Sequence, residues 1–253
     1  KYEATYHHLL EEMEREGIEV VNERELTDGQ QQFVWDYFAS TVSIRTVPLM
    51  LRKRNRLPFL RDDRSYLAIK MWRSKGRANV RYAIIEIPVS SACPRFVTLP
   101  SPEGKIQIIF LDDILRFCLD EIFFMFDYDE ITAHAFKLTR DAELTLDDDI
   151  SKSLIQKMEQ GIDKRMHGRP IRLVYDREMP RDLLDLITSK FGLTDGDNVN
   201  AGGRYHFLRD LMKFPRVAPA LEYPRQVPLL HPGVRKFSSI LNVIKKKDLL
   251  VAY

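Results

Sequence analysis

The sequence predicts an α+β fold, with a mixed β-sheet that has helices packed on it, preceded by the last helices of a helical N-terminal domain. Near the start of the chain, apolar residues recur at helical spacing. From Pro48 onward the pattern changes to short apolar, β-branched segments, which later alternate with amphipathic stretches. Strands that first pair locally and then alternate with helices are typical of one mixed sheet. We therefore divide the chain into the end of a helical domain, 1–47, and an α+β domain, 48–253.

The N-terminal segment predicts two helices with a strand between them. The first covers residues 2–13, and Gly17 is its stop signal. The strand is Ile18–Val21. Thr27 has the side chain of an N-cap and begins the second helix, which ends before Pro48. Its buried side chains are predicted to be Phe33, Tyr37 and Phe38.

Strands follow Pro48. Tyr66–Trp72 and the segment 80–87 are apolar and flank Lys75 and Gly76, which predicts a β-hairpin. Further strands are predicted at 95–99, 105–110, 131–139 and 171–175. The segment 194–232 is predicted to be rich in loops, and a short helix near 237–243 leads into a final strand.

Three helices are predicted between these strands. Asp112 or Asp113 begins one that carries an apolar face, and the acids at 147–149 begin a second that runs to about Arg165. Acidic side chains at a helix start favour the helix dipole, so we interpret both groups as caps rather than metal ligands. The third helix has Pro180 in its first turn and ends at Gly192.

The composition excludes some functional classes. Lys and Arg total 39 against 37 Asp and Glu, a net charge of +2, whereas nucleic-acid coat proteins usually carry a strong basic excess. The two cysteines, Cys93 and Cys118, follow no disulfide or zinc pattern, which predicts a reducing compartment and a cytoplasmic location. Apolar runs stay well short of a membrane span. Because the chain begins at Lys1 in mid-helix and stops after an apolar run, we expect it to be part of a longer protein.

The common catalytic motifs are absent from the sequence. It has no H-E-x-x-H pair, no phosphate-binding glycine loop and no G-x-S-x-G turn. One near match is "HAFKLTRD", which differs from the H-x-K-x4-D motif because Lys137 follows His134 by three residues. On a strand that spacing puts the two side chains on opposite faces, so we reject this site.

Three basic segments are candidate phosphate contacts. In "AGGRYHFLRDLMKFP", Arg204 and His206 lie near a predicted helix start, where backbone N–H groups attract anions. Arg140 in "KLTRDAEL" is the third candidate residue, although a salt bridge with Asp141 or Glu143 would also explain it. The third segment has the densest positive charge, and its basic residues are Arg52, Lys53, Arg54, Arg56, Arg61 and Arg64.

Several of these segments together resemble polyphosphate kinases of the large, histidine-phosphorylating bacterial type. They are "CPRFVTLP", "IIFLDDILRFCLDEIF", "KLTRDAEL", "IRLVYDREMP" and "AGGRYHFLRDLMKFP", in the family's order, and the resemblance runs from about Asn22 to the end of the chain. It departs from the family at the end, where members continue "DLL" with two aromatics or histidines and then Pro-Tyr, whereas this chain reads "DLLVAY".

The resemblance implies an enzyme that reversibly transfers the terminal phosphate of ATP to polyphosphate, with Mg²⁺, as a cytoplasmic, phosphorylated homo-oligomer. It also implies that the catalytic histidines lie in C-terminal domains that this chain lacks. We therefore expect no catalytic residue here, no cofactor bound by this part, and ATP, ADP and polyphosphate as partners of the missing domains. The expected role is assembly and shaping of a channel for the polymer, without specific nucleic acid.

Two other interpretations stay open. A separate binding module would use the Arg52 to Arg64 segment to hold nucleic acid or another polyanion, with steep salt dependence. A purely structural dimerisation domain would bind no ligand.

Overall fold

The computed structural model describes most of the chain in two compact units, 1–215 and 216–253. The described residues are 2–52, 59–73, 80–101, 104–140, 170–193, 198–206, 208–224, 226–227, 229, 231–235 and 239–249.

The helices of the first unit have conventional ends. Helix α1 covers Tyr2–Arg15 and is followed by Gly17 at φ 77°, a left-handed backbone that favours glycine. Helix α2 covers Asp28–Tyr37, and the Thr27 N–H donates a hydrogen bond to Gln30 Oε1 as in a capping box. A π-helical turn, Phe38–Val42, extends α2. The other helices are α3 Leu111–Phe117, α4 Leu119–Ile122 and α5 Arg181–Phe191, which ends at Gly192.

The strands form two sheets in the described part of the chain, not the single sheet that was predicted. The smaller has the order β1-β6-β5, and the larger has the order β2-β4-β3-β7-β8-β9. The strands of the smaller sheet are β1 Ile18–Val21, β5 Phe96–Leu99 and β6 Ile106–Phe110. Those of the larger sheet are β2 Leu49–Leu51, β3 Tyr66–Trp72, β4 Arg81–Glu86, β7 Glu130–Arg140, β8 Pro170–Asp176 and β9 Asn198–Gly202.

Pairing explains why one sheet was a wrong prediction. Strand β1, from the predicted helical end, pairs in parallel with β6, with Ile18 opposite Ile106. Strand β6 also pairs with its hairpin partner β5, so these three strands form a sheet of their own. The predicted hairpin of β3 and β4 is confirmed, with Ile69 opposite Ala83, while its turn at Lys75 and Gly76 lies outside the described residues.

The central strands of the larger sheet are buried on both faces. Alternate residues of β3 point in opposite directions, so Leu67 and Ile69 enter one apolar cluster while Tyr66 and Ala68 enter another. The first cluster includes residues of α2, α3 and the smaller sheet, and the second includes α5. Burial on both faces accounts for the nearly continuous apolar sequence of β3.

Some predicted elements differ or fall outside the described residues. The predicted loop region contains β9, which pairs in parallel with β8, and a 3₁₀-helix, Leu208–Lys213. The helix predicted from 147 to 165 and the end of the predicted final strand lie outside the described residues. In the second unit, the short helix α6 covers Ile240–Ile244, close to its predicted place.

Candidate functional site: a buried ion-pair cluster beside a cavity

Helix α3 begins with two fully buried carboxylates. The chain passes from β6 directly into α3 through an extended Phe110, which places Asp112 and Asp113 in the first turn. Both side chains are 0% exposed. We expected them to act as simple helix caps. Instead each carboxylate pairs with guanidinium groups, because a buried charge needs a partner of opposite sign.

Arg95 is the partner of Asp112. Its Nη2 donates to Asp112 Oδ1 at 2.9 Å, and its Nε lies 2.9 Å from Asp112 Oδ2 without hydrogen-bond geometry. The same guanidinium donates to Asp210 Oδ2 at 3.0 Å and to the His206 carbonyl oxygen at 3.1 Å. Arg95 is 3% exposed. One side chain thus joins β5, α3 and the loop after β9.

Asp113 has three partners. Its Oδ1 accepts from Arg116 Nη1 at 2.7 Å and from Arg204 Nη2 at 3.0 Å, and its Oδ2 accepts from the Tyr205 hydroxyl at 2.6 Å. Arg204 also pairs with Glu23, which follows β1. Arg204 therefore connects the N-terminal segment with Asp113 of α3.

We call these seven charged groups and Tyr205 the ion-pair cluster. Its members are Glu23, Arg95, Asp112, Asp113, Arg116, Arg204, Asp210 and Tyr205. Its carboxylates outnumber its guanidinium groups by one, so the cluster carries no surplus of positive charge.

The surroundings shift the protonation of these groups. Burial raises the pKa of the Asp112 carboxyl, and the positive charges of Arg95 and Arg116 oppose that shift. Burial also raises the pKa of Tyr205, and the Asp113 carboxylate raises it further, so the phenol keeps its proton. Burial lowers the pKa of Arg204, but Asp113 and Glu23 raise it by more, so the net shift is upward.

His206 lies beside the cluster as a neutral imidazole. Burial lowers its pKa to about 4, although its hydrogen bond to the backbone of Ala135 opposes the shift. Its Nε2 is 3.1 Å from the Ala135 carbonyl oxygen, which only accepts. Nε2 therefore carries the proton, and Nδ1 is the unprotonated nitrogen.

A cavity of about 300 Å³ borders the cluster. Its apolar lining comes from α1, β1, β5, β6 and the segment 203–211, and includes four aromatic rings: Tyr6, Phe96, Phe110 and Tyr205. The rings of Phe110 and Tyr205 stack with centroids 4.1 Å apart. Arg95, Arg204 and His206 also line the cavity, so it lies directly against the buried charges.

The family model described as the polyphosphate kinase middle domain matches residues 29–214. This chain belongs to the polyphosphate kinase family. It is 38% identical over 258 residues to the polyphosphate kinase of Yersinia pestis and 36% identical over 260 residues to that of Escherichia coli K12. Each alignment covers 100% of this chain but 37% of the relative, so the chain spans a little over a third of the relatives' length.

A solved structure has the same fold. The polyphosphate kinase of Porphyromonas gingivalis aligns with a TM-score of 0.69 and 24% identity, over 96% of this chain and 34% of that one. The predicted fold class, α+β with helices packed on sheets, is therefore confirmed. Within the residues that the structure describes, no helix is long and apolar enough to span a bilayer.

The structure brings together two of the three predicted phosphate contacts. Arg204 and His206 both line the cavity, whereas Arg140 lies at the end of β7 and pairs with Asp62. Arg140 also donates to the Leu60 carbonyl oxygen at 2.5 Å. The expected partners of Arg140, Asp141 and Glu143, lie outside the described residues.

Two described arginines of the basic segment are also paired with acids. Arg61 donates to both oxygens of Asp63, and Arg64 lies 3.5 Å from Glu86. Residues 53–58 of this segment lie outside the described part of the chain. Among described residues, no group of three or more His, Cys, Asp or Glu side chains could hold a metal ion.

Sequence reasoning missed most of the ion-pair cluster. Arg95 and Asp210 lie 115 positions apart, and Glu23 and Arg204 lie 181 apart, so no local pattern indicated either pair. The adjacent acids Asp112 and Asp113 gave one signal, since two acids among the apolar residues of a helix require buried partners.

Proposed function

We propose that this chain is the non-catalytic middle part of a polyphosphate kinase that reversibly transfers the terminal phosphate of ATP to polyphosphate. The family match over residues 29–214 carries this proposal. The relatives are named polyphosphate kinases, and the chain corresponds to about a third of them. Its role within the whole enzyme is assembly and shaping of a channel for the polymer.

The proposed division places 1–47 at the end of the N-terminal helical domain and 48–253 in the head domain, before the catalytic domains. The pairing of β1 with β6 ties the two parts together, so the N-terminal domain would be anchored on the head domain. The Glu23 and Arg204 ion pair adds a second connection.

The ion-pair cluster supports a role as a framework rather than as a reaction centre. Its arginines already contact carboxylates, and a phosphate would have to displace one of these buried partners. Phosphate contact at Arg204, His206 and Arg140 stays a prediction. In the proposed enzyme, ATP and Mg²⁺ bind to domains outside this chain, and the phosphorylated residue also lies there. The enzyme would be a cytoplasmic homo-oligomer.

The test compares this 253-residue chain with the full-length protein from which it comes. Both are incubated with ATP and Mg²⁺, and polyphosphate formation is followed, as is ATP formation from ADP and polyphosphate. We expect activity in both directions from the full-length protein and none from the chain. Turnover by the purified chain would refute its non-catalytic role, and an inactive full-length protein would refute the phosphotransfer assignment.

A further inference from the structure

The cavity beside the ion-pair cluster has the size and walls of a small-molecule site. Its volume of about 300 Å³ lies at the lower end of the range for ligand pockets, so it suits a molecule of one or two rings. Aromatic rings from α1, β5, β6 and the loop after β9 form much of its surface. Flat aromatic walls favour a planar aromatic ligand, because offset and edge-to-face ring contacts are attractive.

Helix α1 covers the cavity without filling it. Tyr6, His7 and Leu10 of α1 line the cavity, yet no side chain from 4 to 15 is fully buried. The cavity is therefore bounded by α1 on one side and by strands of the smaller sheet on another.

The polar groups at the cavity are engaged within the protein or closed off from a ligand. His206 Nε2 meets the Ala135 carbonyl oxygen, and the Cε1–Nδ1 edge of the ring lies against Gly202. Arg204 Nε is buried without a hydrogen-bond partner among the described residues, so it is closed to a ligand in the cavity. The aromatic walls, rather than a hydrogen bond, therefore determine which ligand fits.

The charges around the cavity disfavour a charged ligand. Asp210 and Glu25 line it and would repel an anion, while Arg95 and Arg204 line it and would repel a cation. The guanidinium groups are already paired with carboxylates, so neither sign of charge is left in large excess. An uncharged ligand is repelled neither by the carboxylates nor by the guanidinium groups.

We propose that this cavity binds an uncharged planar aromatic molecule of one or two rings. Its rings lie against the aromatic walls. Binding at this cavity does not depend on the proposed function.

The test is a titration of this chain with indole, followed by ligand-observed NMR and calorimetry. Indole is planar, uncharged and carries one N–H. We expect a dissociation constant of about 1 mM or tighter, as for a well-seated ligand of this size. 1-Methylindole has the same rings and no charge, so it should bind with an affinity within about threefold of that of indole. Indole-3-carboxylate carries a negative charge and should also bind at least about tenfold weaker.

Two leucines of α1 provide matched variants. Leu10 lines the cavity, whereas Leu9 does not line it and is 47% exposed. Leu10→Phe should fill the cavity and abolish indole binding, and Leu9→Phe should leave binding unchanged. Circular dichroism checks that both variants fold. If Leu10→Phe does not fold, Val20→Phe on β1 replaces it, because Val20 also lines the cavity.

The proposal is overturned if indole shows no binding up to about 10 mM. It is also overturned if the folded Leu10→Phe or Val20→Phe variant binds indole as the original chain does. Equal affinity for indole and indole-3-carboxylate would refute the preference for an uncharged ligand.

Discussion

Helices α3 and α5 pack against different apolar clusters, and their buried residues differ in charge. Helix α5 is amphipathic: Leu183, Leu184 and Ile187 are buried, while Arg181 is 84% exposed in its ion pair with Asp185. In α3 the residues 111–116 are all buried, and three of them are charged. The apolar face of α5 needs no particular partner, whereas each charge in α3 requires one.

This difference determines what each helix can specify. An apolar face packs against any surface of suitable shape, so α5 contributes stability without selecting a particular partner. The charges of α3 are satisfied only when Arg95 beside β5 and Arg204 in the loop after β9 are both in place. Arg204 pairs in turn with Glu23 after β1. We infer that α3 fixes the relative positions of segments that are far apart in sequence.

The largest expected effect follows from Arg95→Leu. This change leaves Asp112 and Asp210 without their cation, and breaking a buried ion pair costs about 3–5 kcal/mol in free energy of unfolding. Urea unfolding followed by tryptophan fluorescence measures it, since Trp35 and Trp72 both lie in the first unit.

Arg181→Leu is the control for Arg95→Leu. It removes an exposed ion pair of α5 and should change the free energy of unfolding by less than about 0.5 kcal/mol. Similar losses for the two variants would contradict the contrast between the helices.

A smaller effect is expected from pH through His206. Its folded pKa of about 4 lies below the ordinary 6.5, so the unfolded chain binds a proton at a higher pH than the folded one. The contribution of neutral His206 to the free energy of unfolding is on the order of 3 kcal/mol. It is complete above pH 6.5 and is lost as the pH falls to 4. Unfolding at pH 7, 5.5 and 4 measures it.

The variant His206→Gln isolates this contribution, because glutamine keeps a donor for the Ala135 carbonyl and does not titrate. Other groups titrate in both proteins, so the difference between the two curves belongs to His206. Parallel curves would show that His206 ionises equally easily in the folded and unfolded chains.

The smallest expected effect on the free energy of unfolding is the difference between removing two tyrosine hydroxyls. Tyr205 donates to buried Asp113 at 2.6 Å, and Tyr82 donates to the more exposed Asp182 of α5 at 2.7 Å. Tyr205→Phe should cost about 1.5–3 kcal/mol and Tyr82→Phe less than about 1 kcal/mol, because solvent can replace the second bond. The same unfolding measurement compares them, and a larger loss for Tyr82→Phe would reverse the expected order.

Local sequence patterns predicted the helices and strands better than the pairing of the strands into sheets. The apolar spacing and the stop signals at Gly17 and Gly192 give the ends of α1 and α5 closely. Strand β9 was missed because "NVNAG" has neither β-branched density nor alternation, and it forms a strand only by pairing with β8. The second sheet was missed because the β1 and β6 contact joins strands 88 positions apart, such as Ile18 and Ile106.

The candidate site was predictable only in part. Arg204 and His206 were selected for residue type near two glycines, and both do line the cavity. Their partners Glu23 and Ala135 come from distant segments, so the sequence could not show that Arg204 is neutralised and His206 is buried.

The central claim is that mutual neutralisation of charge, rather than the packing of each side chain, holds the ion-pair cluster together. A double-mutant cycle with Arg95→Leu, Asp112→Leu and both changes together tests it most directly. We predict that the double variant loses less than the sum of the single losses, by at least about 1 kcal/mol, because the second change removes a stranded charge. Losses that add within about 0.5 kcal/mol would contradict the claim.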